Sequence, residues 1–207
     1  MLEVLTGTGL ATSAGLNAYI PLLIMGLLAR FTDLVELPAG WQWLSGGWAL
    51  AVLTVLLAVE VVADKVPVVD HVNDVVQTVV RPAAGGLAFG AGSAAQTATV
   101  PDPGALSTHQ WTAIVAGVLI ALCVHGVKAA SRPVVNATTA GFGAPVVSTI
   151  EDIGSAVLSV LAILVPILVL AAIVAFVGTG VWVVRRRRRR RRQRQAAEGV
   201  ETVRLFG

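Results

Sequence analysis

Four carboxylates, Glu60, Asp64, Asp70 and Asp74, fall within fifteen residues of one another, with Lys65 and Arg81 as basic neighbours. Ionisable groups at membrane depth are costly, and such a cluster in an apolar chain points to an ion pathway or a proton relay. Glu60 lies inside an apolar run and is the best candidate for a buried group. His125 and Lys128, three residues apart on one helical turn, either face Glu60 across a repeat interface and form a titrating pair or simply mark the polar end of a helix. The plainer alternative leaves Asp64, Lys65, Asp70 and Asp74 among lipid headgroups, with Glu60 paired to Lys65 or Lys128.

Other chemistry lacks residues. HExxH, GxSxG and the phosphate-loop GK[ST] are absent, and GxGxxG does not occur between a strand and a helix. Ser13, Ser93 and Ser148 have no recognisable base nearby in sequence. Asp70 and His71 are adjacent on a helix and point apart, so Asp70-His71-x-Asn73-Asp74 gives only a weak metal signal. One cysteine, Cys123, excludes an intramolecular disulfide and any multi-cysteine metal site. No enzyme activity, cofactor or metal is expected.

The elements that must hold these groups belong in a bilayer. Of the 207 residues 56% are hydrophobic and 13% charged, with a mean hydropathy of +0.80, far from a soluble domain. Net charge is split: residues 1–184 carry −5 and residues 185–207 carry +8. The length allows about six crossings of roughly 20 residues and no soluble catalytic domain. The expected fold is all-α, a polytopic transmembrane bundle with an internal two-fold repeat and broken or re-entrant segments.

Along the chain, Gly9–Leu28 reads as one spanning helix with Pro21 at the changeover from small to large residues. Met1–Tyr19 contains no Lys or Arg, so a cleaved secretory signal is not expected. Arg30–Gly47 reads as a loop whose Trp41, Trp43 and neighbouring Trp48 suit an interfacial belt. A second spanning helix follows over Trp48–Ala63. In Pro67–Pro82, Asp70, Asp74, Gln77 and Arg81 fall on one helical face and valines cover the rest, with the two prolines as brackets. Ala83–Thr99 is rich in small residues, and Val100–Gln110 is a loop. Trp111–Ala130 is a spanning helix, Arg132–Asp152 a weakly polar stretch broken by Gly141, Gly143 and Pro145, and Gly154–Val184 a long apolar run with a kink at Pro166.

Gly9–Ala18 and Gly86–Ala95 match at six of ten positions. Each continues to a tryptophan-led helix, at Trp48 and Trp111, and then to PVVD at Pro67 or PVVN at Pro133. The expected organisation is a transmembrane domain over 1–184, with repeat 1 at 5–82, repeat 2 at 83–152 and a final anchoring helix at 154–184, then a disordered basic tail at 185–207. Putting the tail, Lys65, Arg81, Lys128 and Arg132 in the cytoplasm satisfies the positive-inside rule with both termini inside. The expected location is therefore the inner membrane, multi-pass, with a cytoplasmic C-terminus.

In this reading Gly9, Ser13, Gly15 and Asn17, with Gly86, Gly90, Gly92 and Ser93, line the path as interrupted small-residue segments; the ordinary alternative makes them packing seams. The run Arg185, Arg186, Arg187, Arg188, Arg189, Arg190, Arg191 and Arg192 follows an apolar helix and suits anionic lipid headgroups, at about 1 kcal/mol per residue. It lacks the aromatics and reading surface of a sequence-specific nucleic-acid binder. The small-residue seams also permit a homo-oligomer.

The string GLATSAGLNAYIPLL, the pattern of Glu60, Asp64, Lys65, Pro67, Asp70 and Asp74, and Arg81–Pro82 together resemble a bacterial polytopic membrane family. It is catalogued only as a domain of unknown function, number four thousand one hundred and twenty-six. The resemblance covers about Leu5–Val177 and implies an integral membrane protein with no activity to carry over. The residues themselves point to a small transporter or channel for a cation or protons, with a non-transporting scaffold or envelope-assembly factor as the rival.

Overall fold

A computed structural model describes residues 1–64, 67–101, 110–139, 143–171, 174–175 and 178, without the side chains of 67–71, 74, 134 and 136–138. Residues 1–169 and 170–207 form two units. Among the described residues of the first, six α-helices follow in order: α1 (Leu2–Leu16), α2 (Ile20–Phe31), α3 (Gly47–Ala63), α4 (Pro67–Ala94), α5 (Gln110–Thr139) and α6 (Gly143–Leu164). A 3-10 helix (Ala39–Ser45) precedes α3. Strands β1 (Val35–Glu36) and β2 (Gln96–Thr97) pair antiparallel, Val35 opposite Thr97, tying the segment after α2 to the end of α4. The described residues of the second unit are helical and exposed.

Small residues decide the centre. Helix α1 packs against α2, α4, α5 and α6. Its Gly9 faces Ala162 and Val169, and its Gly15 faces Ala121 and Val124, where a side chain would collide. Gly92 of α4 similarly sits under Leu10 of α1, so the two matching segments pack against each other. Close approach of this kind lets helices associate in lipid, where no hydrophobic drive separates helix from solvent.

Helix α3 shows the solvent it was built for. Trp48, Val52, Val55, Val59 and Val62 are exposed at helical spacing, while Glu60 is 1% exposed. A helix that buries its glutamate and exposes its valines inverts the soluble pattern and suits a lipid surround. Among the described residues Gln110–Pro133 and Gly143–Leu164 are long and apolar enough to cross a membrane. The 3-10 helix with α3, bent by 57°, forms a third such span if taken as one.

Several sequence expectations are corrected. Gly9–Leu28 is two helices: Asn17 leaves the helical conformation, and its Oδ1 accepts the amides of Tyr19 (3.1 Å) and Ile20 (3.2 Å). The side chain replaces the continuing backbone bonds, and Pro21 has no amide to restore them. Conversely α4 runs through Pro82 and α5 through Pro133, where helix ends and new segments were expected. Packing carries α4 onward: Gly85 lies against Gly117 and Ala121 of α5, and Gly86 against Ile114 and Val118. Glu151 and Asp152 lie within α6, whose first turn contains Pro145, rather than closing the weakly polar stretch that begins at Arg132. Residues 82 and 83 lie within α4, and residues 152–154 within α6. Helix α6 ends at Leu164, just ahead of Pro166, and helical backbone resumes at 166–171. Of the tryptophans, Trp43 and Trp48 stack with centroids 6.3 Å apart, but Trp41 is buried beside Gly90.

Candidate functional site

Four helices deliver charge to one buried cluster. Glu60 and Asp64 are one turn apart at the end of α3, and Arg81 comes from the polar face of α4. That face was read correctly at Gln77 and Arg81, which are buried, while Val72, Val75, Val76 and Val79 are exposed. His125, Lys128 and Arg132 recur at i, i+3 and i+7 on α5, and Ser148, Glu151 and Asp152 at corresponding turns of α6.

Arg81, 0% exposed, donates from Nη2 to Glu60 Oε1 at 2.7 Å and lies 3.8 Å from Asp64 Oδ2. Its Nη1 stands 3.2 Å from His125 Nδ1. A guanidinium has no acceptor, so Nδ1 must accept, and the neutral imidazole then donates from Nε2 to Thr78 Oγ1 at 3.1 Å. An imidazolium could not keep the Arg81 contact.

Asp64 is the hub. Its Oδ1 accepts from Asn73 at 2.8 Å, and its Oδ2 faces Arg132 (3.2 Å), Ser148 (3.3 Å) and Lys128 (3.5 Å). Glu151 Oε2 accepts from Lys128 at 2.8 Å and Arg132 at 3.2 Å. Three carboxylates, Glu60, Asp64 and Glu151, thus meet three cations, Arg81, Lys128 and Arg132. Buried charges tolerate low dielectric only when paired and hydrogen-bonded in this way.

The helix break adjoins the cluster. Lys128 Nζ donates to Leu16 O, the open carbonyl end of α1, at 3.1 Å. A cation there answers the negative end of the helix dipole. Asn17 Nδ2 donates to Asp152 Oδ1 at 2.9 Å, while its Oδ1 starts α2. Tyr19, at the same junction, is half-buried.

Of the residues singled out from sequence, Glu60, Asp64, Arg81, His125, Lys128 and Asn17 are brought together. Glu60 pairs with Arg81, not with Lys128. The side chains of Asp70 and Asp74, Lys65, and Arg185–Arg192 lie outside the described residues. Gly9, Gly15, Gly86, Gly90 and Gly92 are helix-packing contacts. Ser13 joins Ser155 and Ser159, both at 2.7 Å, and Ser93 bonds Gly90 O within its own helix. Arg132, Glu151, Asp152, Ser148 and Asn73 were missed as members. The signal for Arg132 was its seven-residue spacing from His125, obscured by the assumption that α5 stops before Pro133. No group of metal-ligating residues occurs among the described residues.

A family model described as Domain of unknown function (DUF4126) matches residues 4–186. No curated protein matches the chain. No solved structure matches it either.

Proposed function

The chain belongs to the DUF4126 family, whose description assigns no activity, and from the geometry we propose that it is a small polytopic transporter or channel for a cation or protons. One observation carries the reading: a helix interrupted at Asn17, its open carbonyl end held by Lys128, abuts a buried cluster of three carboxylates and three cations. Interrupted helices beside ionisable groups at membrane depth are where transporters bind their cargo. In this reading the matching segments Gly9–Ala18 and Gly86–Ala95, packed on one another through Leu10 and Gly92, relate two halves of a chain with about six crossings. It sits in the inner membrane with its C-terminus cytoplasmic, the arginine run on anionic headgroups, and small-residue seams available for a homo-oligomer. Flux of protons, sodium and potassium in proteoliposomes tests it, with Glu60→Gln alongside. Selective flux lost in the variant supports the reading; absence of flux for every ion removes it.

A second reading has its own support. Asp64 receives Asn73, Arg132, Lys128 and Ser148, a degree of satisfaction that suits a fixed scaffold binding partner membrane proteins. In a scaffold, neutralising Glu60 alters stability without any ion flux to lose.

A further inference from the structure

The carboxylates of the cluster are not equivalent. Both oxygens of Asp64 are engaged, and Glu151 Oε2 takes two cations. Glu60 uses only Oε1, toward Arg81; among the described residues its buried Oε2 has no hydrogen-bond partner. Gln77, one turn before Arg81 on α4 and 2% exposed, also leaves its Oε1 without one, and so does Arg81 Nε. A buried acceptor without a hydrogen is costly, and Glu60 Oε2 and Gln77 Oε1 each carry that cost.

Which cation fits is decided by the neighbours. The charged and titratable groups that act on Glu60 are Arg81 from α4, Lys128 from α5, Asp64 on its own helix and Tyr19 from the junction of α1 and α2, while His125 of α5 touches the same guanidinium. A metal ion needs about six oxygen ligands, whereas Glu60 has one unpartnered oxygen, Oε2, and a guanidinium already sits on the other oxygen of the same carboxylate. A proton needs one oxygen.

We propose that the cargo is the proton, bound on Glu60 Oε2, with Arg81 exchanging Glu60 for Asp64 when that proton binds. This rests on the transport reading above. The balance is simple: an O–H bond forms on Oε2, the Glu60–Arg81 ion pair loses its negative partner, and Asp64, already 3.8 Å from Arg81, receives the guanidinium. Neutral His125 follows Arg81, since its Nδ1 contact is to the same guanidinium. Tyr19, half-buried at the junction of α1 and α2, feels the charge of Glu60.

The experiment uses the full chain twice. Infrared difference spectra across a pH titration should show a protonated-carboxyl stretch that disappears in Glu60→Gln and shifts in frequency in Tyr19→Phe and Gln77→Leu. In proteoliposomes a pH gradient should drive proton uptake that falls to the protein-free rate in Glu60→Gln, with no sodium or potassium flux. Sodium or potassium flux without proton flux overturns the proton assignment and leaves transport standing. The Glu60 band without any flux overturns transport and leaves the proton site standing. Absence of both overturns both. If Glu60→Gln fails to fold, the frequency shift in Tyr19→Phe decides: an unshifted band overturns the site.

Discussion

Lys128 Nζ donates to the backbone carbonyl of Leu16, 3.1 Å away and 112 residues earlier in the chain. The same ammonium lies 2.8 Å from Glu151 Oε2, so one side chain joins the open end of α1 to α6. Its four-carbon stem places a point charge where a planar guanidinium would meet Leu16 O less well.

Lys128→Met should therefore destabilise the fold by about 3–5 kcal/mol, the usual cost of removing one partner from a buried ion pair. Thermal unfolding in detergent checks it. A wild-type midpoint would show that the junction of α1 and α6 does not depend on this charge.

Arg81 and Glu60 should be strongly coupled. Arg81→Gln leaves Glu60 buried without its cation and should cost about 3–5 kcal/mol, whereas adding Glu60→Gln should restore much of the loss. The measurement is a double-mutant cycle on unfolding free energy. Additive losses would mean that the 2.7 Å contact carries no coupling.

Helix α5 carries two glycines with opposite surroundings. A side chain on Gly117 would collide with the Gly85 carbonyl and Phe89, whereas one on Gly126 would meet nothing within 4 Å. Gly117→Val should cost about 1–3 kcal/mol or more through overpacking, and Gly126→Val should be tolerated. Yield of folded protein by size-exclusion chromatography separates the two, and equal losses would argue against the α4/α5 contact.

Ser13 bonds Ser155 and Ser159 between α1 and α6, all three fully buried. Ser13→Ala should cost about 1 kcal/mol or less, since interhelical hydrogen bonds in membranes contribute modestly. Flux in this variant should match the wild type; loss of flux with unchanged stability would assign Ser13 to the pathway.

Deleting residues 185–207 removes ten basic residues. On the positive-inside rule the truncated chain should insert in mixed orientations. Labelling a cysteine introduced at Ser107, in a Cys123→Ser background, from each side of the membrane reads the result. A single unchanged orientation would deny the tail its topological role.

Local information sufficed for much of this protein. Hydropathy fixes a lipid surround for α3, α5 and α6, because transfer from water depends on composition alone. Period fixes which face of α4 turns inward, because Gln77 and Arg81 share it whatever they meet. Partner choice was decided only in three dimensions. Glu60 and Arg81 are 21 residues apart, Asp64 and Arg132 are 68 apart, and Asn17 and Asp152 are 135 apart. Nothing in the order of residues sets those distances. The proline readings failed for the same reason. Pro82 and Pro133 are breakers on local grounds, yet α4 and α5 run through them, and just past Pro82 glycine contacts such as Gly85 on Gly117 hold the two helices together. At Asn17 the balance goes the other way, because its side chain satisfies the start of α2 and Asp152 at once. A local preference yields where packing energy exceeds it, and only the folded arrangement supplies that energy.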